Sequence, residues 1–138
     1  MGRLVAVDYG TKRIGLAATD PMRILASPLK TLEAGKTLEE TIKKILAVIP
    51  PCDFIIVGLP LLLSGKDSET TTAARLFAEK LKELSGLRVE LFDERFTSKE
   101  VERRMMEDGV NRKKRAQHSD ELSTVLLLQS YLAFLSSQ

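Results

Sequence analysis

The chain is short of cysteine, of aromatic residues and of long apolar runs, and each shortage excludes a class of protein. One cysteine, Cys52, cannot build an internal disulfide framework and fits a reducing compartment, so we expect a cytoplasmic location. No apolar run approaches the roughly 20 residues of a membrane span, so we expect no membrane partner. Tryptophan is absent, and five Phe and two Tyr are the only aromatic residues. Because most of the Phe residues are expected in the core, little is left for stacking on a ligand.

Charge of one sign is not in excess either. The chain has 21 Lys and Arg against 19 Asp and Glu, a net charge of +2, so no global field attracts it to nucleic acid. Any such attraction must come from local clusters of cations. The 138 residues suffice for one core and are too few for two, so we expect one domain over residues 1–138.

Apolar periodicity predicts three strands, then helix, strand, helix, strand and two helices. The predicted strands are 3–8, 14–19, 24–32, 53–58 and 88–92. The predicted helices are 38–49, the segment between a loop at 59–69 and Gly86, 97–108, and a nearly all-apolar helix from Ser119 onward. A hairpin followed by alternating strands and helices indicates an α/β fold, with a mixed sheet flanked by α-helices.

Three carboxylates stand at the ends of these elements. Asp8 closes the first strand, Glu94 follows the last strand, and Asp120 opens the final helix. Gathered at one edge of a sheet, three acids repel one another unless a cation neutralises them. A hard divalent ion such as Mg²⁺ or Mn²⁺ takes oxygen ligands and keeps waters for chemistry. We therefore expect a metal site at these acids, and two-metal chemistry there predicts phosphodiester hydrolysis.

Each acid also has a purely structural interpretation. Asp8 alone could be a turn former, and Asp120 alone could favour the dipole of its helix. Glu94 could be a solvated salt-bridge partner of Arg95. The placement of all three acids at element ends favours the metal site.

Several motifs resemble the YqgF/RuvX family of Holliday junction resolvase-like proteins. They are "VDYGTKRIGLA" at 7–17, "GLP" at 58–60, "DERFTS" at 93–98, and Asp120 leading to "LLLQSYL" at 126–132. The resemblance implies a ribonuclease H-like fold with a five-stranded mixed sheet. It also implies a metal-dependent nuclease for structured nucleic acid, which either trims the 5′ end of the 16S ribosomal RNA precursor or cuts branched DNA.

The family's acidic triad maps onto Asp8, Glu94 and Asp120. We prefer Glu94 to its neighbour Asp93 because adjacent strand residues face opposite sides of a sheet. The chain departs from the family after "GLP", where Leu61 to Lys66 read "LLLSGK" in place of a polar turn. A substrate role for this loop is therefore left open.

Cations near the acids are candidate phosphate contacts. Lys12 and Arg13 lie in the hairpin turn beside Asp8, whereas Arg95 could equally orient a carboxylate. The run of four cations before Asp120 could hold a nucleic-acid backbone or be merely solvated; it consists of Arg112, Lys113, Lys114 and Arg115.

Two functions of other classes start from the same residues. The Asp-x-Gly-Thr turn at Asp8 also resembles the phosphate loop of actin-like kinases and ATPases, which close two such domains over ATP. This chain has room for one, so that function would need a partner domain or a homodimer. The other alternative is a non-catalytic nucleic-acid-binding module.

Overall fold

The sheet is mixed, and its central strands carry the candidate site. The computed structural model describes residues 2–107 and 119–138, and the side chains of all of these except 119–121. The strands are β1 (Leu4–Tyr9), β2 (Arg13–Thr19), β3 (Ala26–Pro28), β4 (Leu32–Glu33), β5 (Phe54–Leu59) and β6 (Arg88–Asp93). Their order is β3-β2-β1-β5-β6, with β4 pairing separately with β2. The hairpin β1–β2 is antiparallel, whereas β1–β5 and β5–β6 are parallel.

Four α-helices accompany the sheet within the described residues. They are α1 (Leu38–Val48), α2 (Glu69–Ser85), α3 (Lys99–Glu107) and α4 (Ser119–Ser136), and a 3₁₀ turn spans Glu94–Phe96. The mixed sheet with flanking helices confirms the predicted fold class. None of the helices in the described part of the chain is long and apolar enough to cross a membrane.

The third predicted strand, 24–32, is divided in two. Pro28 of β3 pairs with Ala17, whereas Leu32 of β4 pairs with Ile14, so the register along β2 shifts by one residue between them. The extra residue forms a bulge, which explains why one continuous strand was the wrong prediction. The sheet therefore has five strands hydrogen-bonded in sequence, as predicted in number, and β4 is a short sixth strand that pairs with β2.

Alternate residues of the central strands pack into two cores on opposite faces of the sheet. On one face the strands pack against α1 and α2, through Val5, Val7, Ile14, Leu16, Ile42, Ile45, Phe77 and Leu81. On the other face they pack against α4, through Leu4, Ala6, Ile56, Phe92, Val125, Leu127, Leu128 and Tyr131.

The expectation that most Phe residues are core holds for three of the five. Phe54, Phe77 and Phe92 are buried, whereas Phe96 and Phe134 are exposed. The two exposed rings lie at the ends of short or terminal elements, where no further layer of structure covers them among the described residues.

Candidate active site

Strand β1 carries Asp8 to the carboxyl edge of the sheet. Leu4 and Ala6 face the core under α4, and the period of two along a strand puts residue 8 on the same face. Asp8 is half-buried and pairs in register with Gly15 of β2. On the other side, the parallel register with β5 reaches Val57, so Gly58 comes next to Asp8. The carboxylate thus emerges between two residues without side chains.

Glu94 approaches the same position from the 3₁₀ turn that follows β6. A Cβ atom added to Gly58 would lie 2.9 Å from Glu94 Oε1 and 3.0 Å from Leu127 Cδ2. A side chain at this position would therefore force the Glu94 carboxylate and the Leu127 side chain to shift, so glycine leaves the room in which Glu94 lies over β5. The Glu94 carboxylate therefore packs directly over the Gly58 backbone, near Asp8.

The proximity of the two acids changes the protonation of Glu94. Burial raises the pKa of the Glu94 carboxyl to about 7, with further contributions from the negative charges of Asp8 and Asp93. Such an increase is expected when an acid loses water and faces like charges. A cation between the two carboxylates would remove both the repulsion and the cost of burying charge.

Asp93 is neutralised within its own turn. Its carboxylate accepts the backbone N–H of Arg95 at 2.9 Å and caps the turn, while Arg95 Nη2 lies 2.6 Å from Asp93 Oδ2. The Arg95 guanidinium holds the pKa of Asp93 below its usual range. Arg95 Nη1 also donates to the Leu63 carbonyl at 3.4 Å, which ties the "LLLSGK" loop to the turn.

Two earlier interpretations are corrected by this turn. The alternative in which Glu94 pairs with Arg95 is wrong, because the Arg95 guanidinium donates to the Asp93 carboxylate instead. The strand argument for preferring Glu94 is also wrong, because β6 ends at Asp93 and Glu94 already belongs to the turn. Asp93 and Glu94 therefore differ in their surroundings, because Asp93 pairs with Arg95 whereas Glu94 faces Asp8.

The backbone of α4 brings Asp120 towards the same edge. Leu127 touches the Gly58 position, and the Tyr131 ring contacts the Phe54 ring at 6.2 Å, so α4 runs opposite to β5. Asp120 lies two turns before Leu127, about 10 Å along the helix axis, in the direction of the carboxyl edge. Its side chain is outside the described atoms.

The predicted cations are distributed unevenly. Lys12 and Arg13 are exposed at the β1–β2 turn, and Arg13 stands opposite Glu33 of β4. The run from Arg112 to Arg115 lies outside the described residues. Within the described residues, no group of three or more His, Cys, Asp or Glu is arranged to hold a metal ion. The described part of the site is therefore an acid pair.

Sequence reasoning missed the role of Gly58, and it left Arg95 open between substrate phosphate and a carboxylate partner, which in the structure is Asp93. A glycine inside an otherwise apolar strand is a signal for close approach of another group, and "IIVGLP" carries that signal. The pairing of Asp93 with Arg95 has a weaker signal, since an acid two residues before a cation is common at turns.

Comparison with known proteins finds relatives over nearly the whole chain. The RuvX family model, described as Holliday junction resolvase, matches residues 2–134. A protein of Koribacter versatilis is 45% identical over 133 residues, covering 95% of this chain and 86% of the relative. One of Protochlamydia amoebophila is 37% identical over 138 residues, covering 94% and 92%. Both are named "Putative pre-16S rRNA nuclease".

Solved structures share the fold at low sequence identity. Thermus thermophilus RuvC, solved with a Holliday junction, superposes with a TM-score of 0.53 at 13% identity, covering 97% of this chain and 96% of that one. Fowlpox virus resolvase, solved with Holliday junction DNA, gives 0.54 at 14% identity, covering 98% and 99%. These two similarities concern the fold alone. The family match over nearly the whole chain confirms the resemblance, and the chain belongs to the RuvX family, a family of nucleases.

Proposed function

We propose that this chain is a metal-dependent nuclease that hydrolyses phosphodiester bonds in structured nucleic acid. The observation that carries the proposal is the acid pair Asp8 and Glu94, held together at the carboxyl edge of the central strands. A protein has little structural reason to hold two carboxylates near each other in a half-buried position, because the repulsion and the desolvation both cost free energy.

The residues present fit Mg²⁺ or Mn²⁺. Two carboxylates offer hard oxygen ligands, and burial together with the negative charges of Asp8 and Asp93 raises the pKa of Glu94, an environment in which a divalent cation would favour the ionised form. Asp120, at the start of α4, is the third proposed ligand. When bound, such a cation would activate water and stabilise the leaving oxygen of the phosphodiester.

The chain's own residues position the other parts of the reaction. Gly58 keeps the space in which Glu94 lies, and Arg95 pairs with the neighbouring Asp93 and not with Glu94. Lys12 and Arg13, exposed beside Asp8, are proposed to contact substrate phosphate. The four cations Arg112, Lys113, Lys114 and Arg115 are proposed to bind the nucleic-acid backbone, and their contribution should fall steeply with salt.

The favoured substrate is the precursor of 16S ribosomal RNA. Relatives at 37–45% identity over almost the full chain carry that substrate in their name. The second candidate is a four-way DNA junction, which the description of the family model favours. A non-catalytic binding module is disfavoured because it would gain nothing from acids placed where phosphate must approach.

Cleavage assays on the two substrates test the proposal. The purified chain is incubated with precursor 16S RNA and with a four-way DNA junction, with and without Mg²⁺, next to the Asp8→Asn variant. Glu79→Gln is the matched control, because it removes one negative charge from an exposed site on α2. We expect Mg²⁺-dependent cleavage that Asp8→Asn abolishes and Glu79→Gln retains. Cleavage by Asp8→Asn at the normal rate would contradict the proposal.

The same preparations address the remaining alternatives. ATP binding at the affinity typical of an ATPase, without cleavage, would favour the actin-like half-domain. Size-exclusion chromatography with light scattering determines whether the chain is a homodimer. A single unfolding transition would support the one-domain organisation over residues 1–138, and the cytoplasmic location stays a prediction.

A further inference from the structure

Two exposed aromatic rings, one of them in the turn that begins with Glu94, pack against the same buried ring. Phe96 ends the turn that begins with Glu94, and Phe134 projects from α4; their side chains are 58% and 42% exposed. The rings are parallel within 3°, with centroids 6.5 Å apart. We call Phe96 and Phe134 the aromatic platform.

The platform is anchored from below by the core. The buried ring of Phe92 packs against Phe96 and Phe134, with ring centroids 6.3 Å and 5.7 Å apart. The Tyr131 ring packs edge-on against Phe92, with a centroid separation of 5.4 Å. Aromatic contacts therefore continue from the core under α4 to the surface. Because Phe92 supports both exposed rings, they are held in place rather than left to move freely in solvent.

The turn that carries Phe96 is itself fixed at both ends. Asp93 caps its start, and Thr97 Oγ1 donates to the Glu94 carbonyl at 2.9 Å. Phe96 lies two positions after Glu94 in the 3₁₀ helix, about 4 Å along the axis of the turn. This spacing allows a nucleotide whose phosphate lies at the acid pair to place its base on Phe96.

An exposed, supported aromatic face is the surface on which unpaired bases stack. Bases inside a continuous duplex already stack on their neighbours and would have to flip out, which costs a few kcal/mol. Charged side chains would serve for phosphate but give no such surface. Two of the aromatic residues, which are scarce in this chain, are thus exposed together, and one of them lies two positions after Glu94.

We infer that the aromatic platform binds an unpaired base next to the scissile phosphate. The chain then acts on a single-stranded segment that flanks a duplex, and not within continuous duplex. This inference rests on the proposed function for the cleavage step, but base binding by the platform is measured separately. Phe96 is a positioning residue, since it holds the base and leaves the reacting atoms to the acids.

Fluorescence of 2-aminopurine tests base stacking without any cleavage. The probe is a single-stranded oligoribonucleotide with one 2-aminopurine, and its fully paired duplex is the comparison, both titrated into the full Asp8→Asn chain with Mg²⁺. We expect binding to quench the 2-aminopurine fluorescence of the single strand. Adding Phe96→Ala should weaken binding of the single strand about tenfold, and Phe96→Trp should restore it. Leu76→Ala is the matched control, because Leu76 is an equally exposed apolar residue (55%) on α2, on the opposite face of the sheet.

Cleavage kinetics provide the second measurement. With Asp8 restored, Phe96→Ala should raise KM for a substrate with a single-stranded overhang about tenfold and change kcat little. Equal binding of the single strand by Phe96→Ala, or quenching that the duplex produces equally well, would overturn the inference. If light scattering gave a lower molecular mass in solution for Phe96→Ala than for the wild type, the platform would join two copies of the chain, which would also overturn the inference. Absence of cleavage by the wild type, with quenching intact, would contradict only the proposed function.

Discussion

Replacement of Glu94 by Gln should stabilise the metal-free protein at neutral and alkaline pH. Glu94 is partly buried, and its ionised form faces Asp8 and Asp93. Gln keeps nearly the same shape over Gly58 and removes the negative charge. The variant therefore relieves the cost of burying a charged Glu94 and, in addition, its repulsion by Asp8 and Asp93.

The magnitude follows from the raised pKa. A rise from 4.5 to about 7 corresponds to about 3 kcal/mol lost by the folded state when Glu94 is ionised. Because Glu94 is only partly buried, solvent screening lowers the expected effect to about 2–3 kcal/mol. At roughly 4 °C per kcal/mol for a chain of this length, Tm should rise by about 10 °C.

The sign depends on pH. Below pH 4.5 Glu94 is protonated in both the folded and the unfolded chain, so the wild type carries no penalty. Between pH 4.5 and about 7 the unfolded chain releases a proton that the folded chain retains, and wild-type stability falls as pH rises. The advantage of Glu94→Gln should therefore be absent at pH 4, grow through this window and stay constant above it.

Urea unfolding followed by circular dichroism at pH 4, 5.5, 7 and 8.5, in EDTA, measures the effect. Glu79→Gln serves as the control for loss of one exposed charge. Addition of Mg²⁺ should stabilise the wild type and not Glu94→Gln. The difference between their free energies of unfolding at pH 8.5 should therefore become smaller. A difference between the two proteins that is the same at every pH, or lower stability of the variant at pH 8.5, would refute the electrostatic reasoning.

Three further predictions follow from neighbouring contacts. Gly58→Ala should displace the Glu94 carboxylate and reduce cleavage about 10- to 100-fold, measured in steady-state kinetics on a variant shown to be folded. Arg95→Gln should return the pKa of Asp93 to its ordinary range and raise that of Glu94 further, measured by NMR titration; unchanged values would contradict the ion pair. Ser68→Ala removes the cap of α2 and should cost about 1 kcal/mol in urea unfolding while cleavage is unchanged.

The fold was predictable because its signals are local. Apolar alternation and short apolar runs identify β1, β2, β5 and β6, and the capping residue Thr37 with the Pro50–Pro51 stop delimits α1. The division of the third strand was not predictable. A bulge depends on how two strands settle in register, and neither strand alone carries that information.

The proximity of Asp8 and Glu94 was predictable from the sequence, whereas their partners were less so. Acids at element ends indicate an edge where they meet, and the structure brings Asp8 and Glu94 together there. Which of two adjacent acids faces that edge depends on where β6 ends and the turn begins, a boundary that sequence patterns locate only within a few residues. The anchoring of Phe96 through Phe92 to α4 is a tertiary contact without a local signal.

The four residues Asp93 to Phe96 show how one turn can serve several purposes. Asp93 and Arg95 neutralise each other and fix the turn, which leaves Glu94 as the one acid of the segment that faces Asp8. Environments that push the pKa values of two neighbouring acids apart are a mark of divided roles, here a structural cap and a proposed metal ligand. Because the same cap also sets the direction of Phe96, loosening the Asp93–Arg95 pair should impair metal binding and base stacking together, although neither residue contacts a ligand in the proposed arrangement.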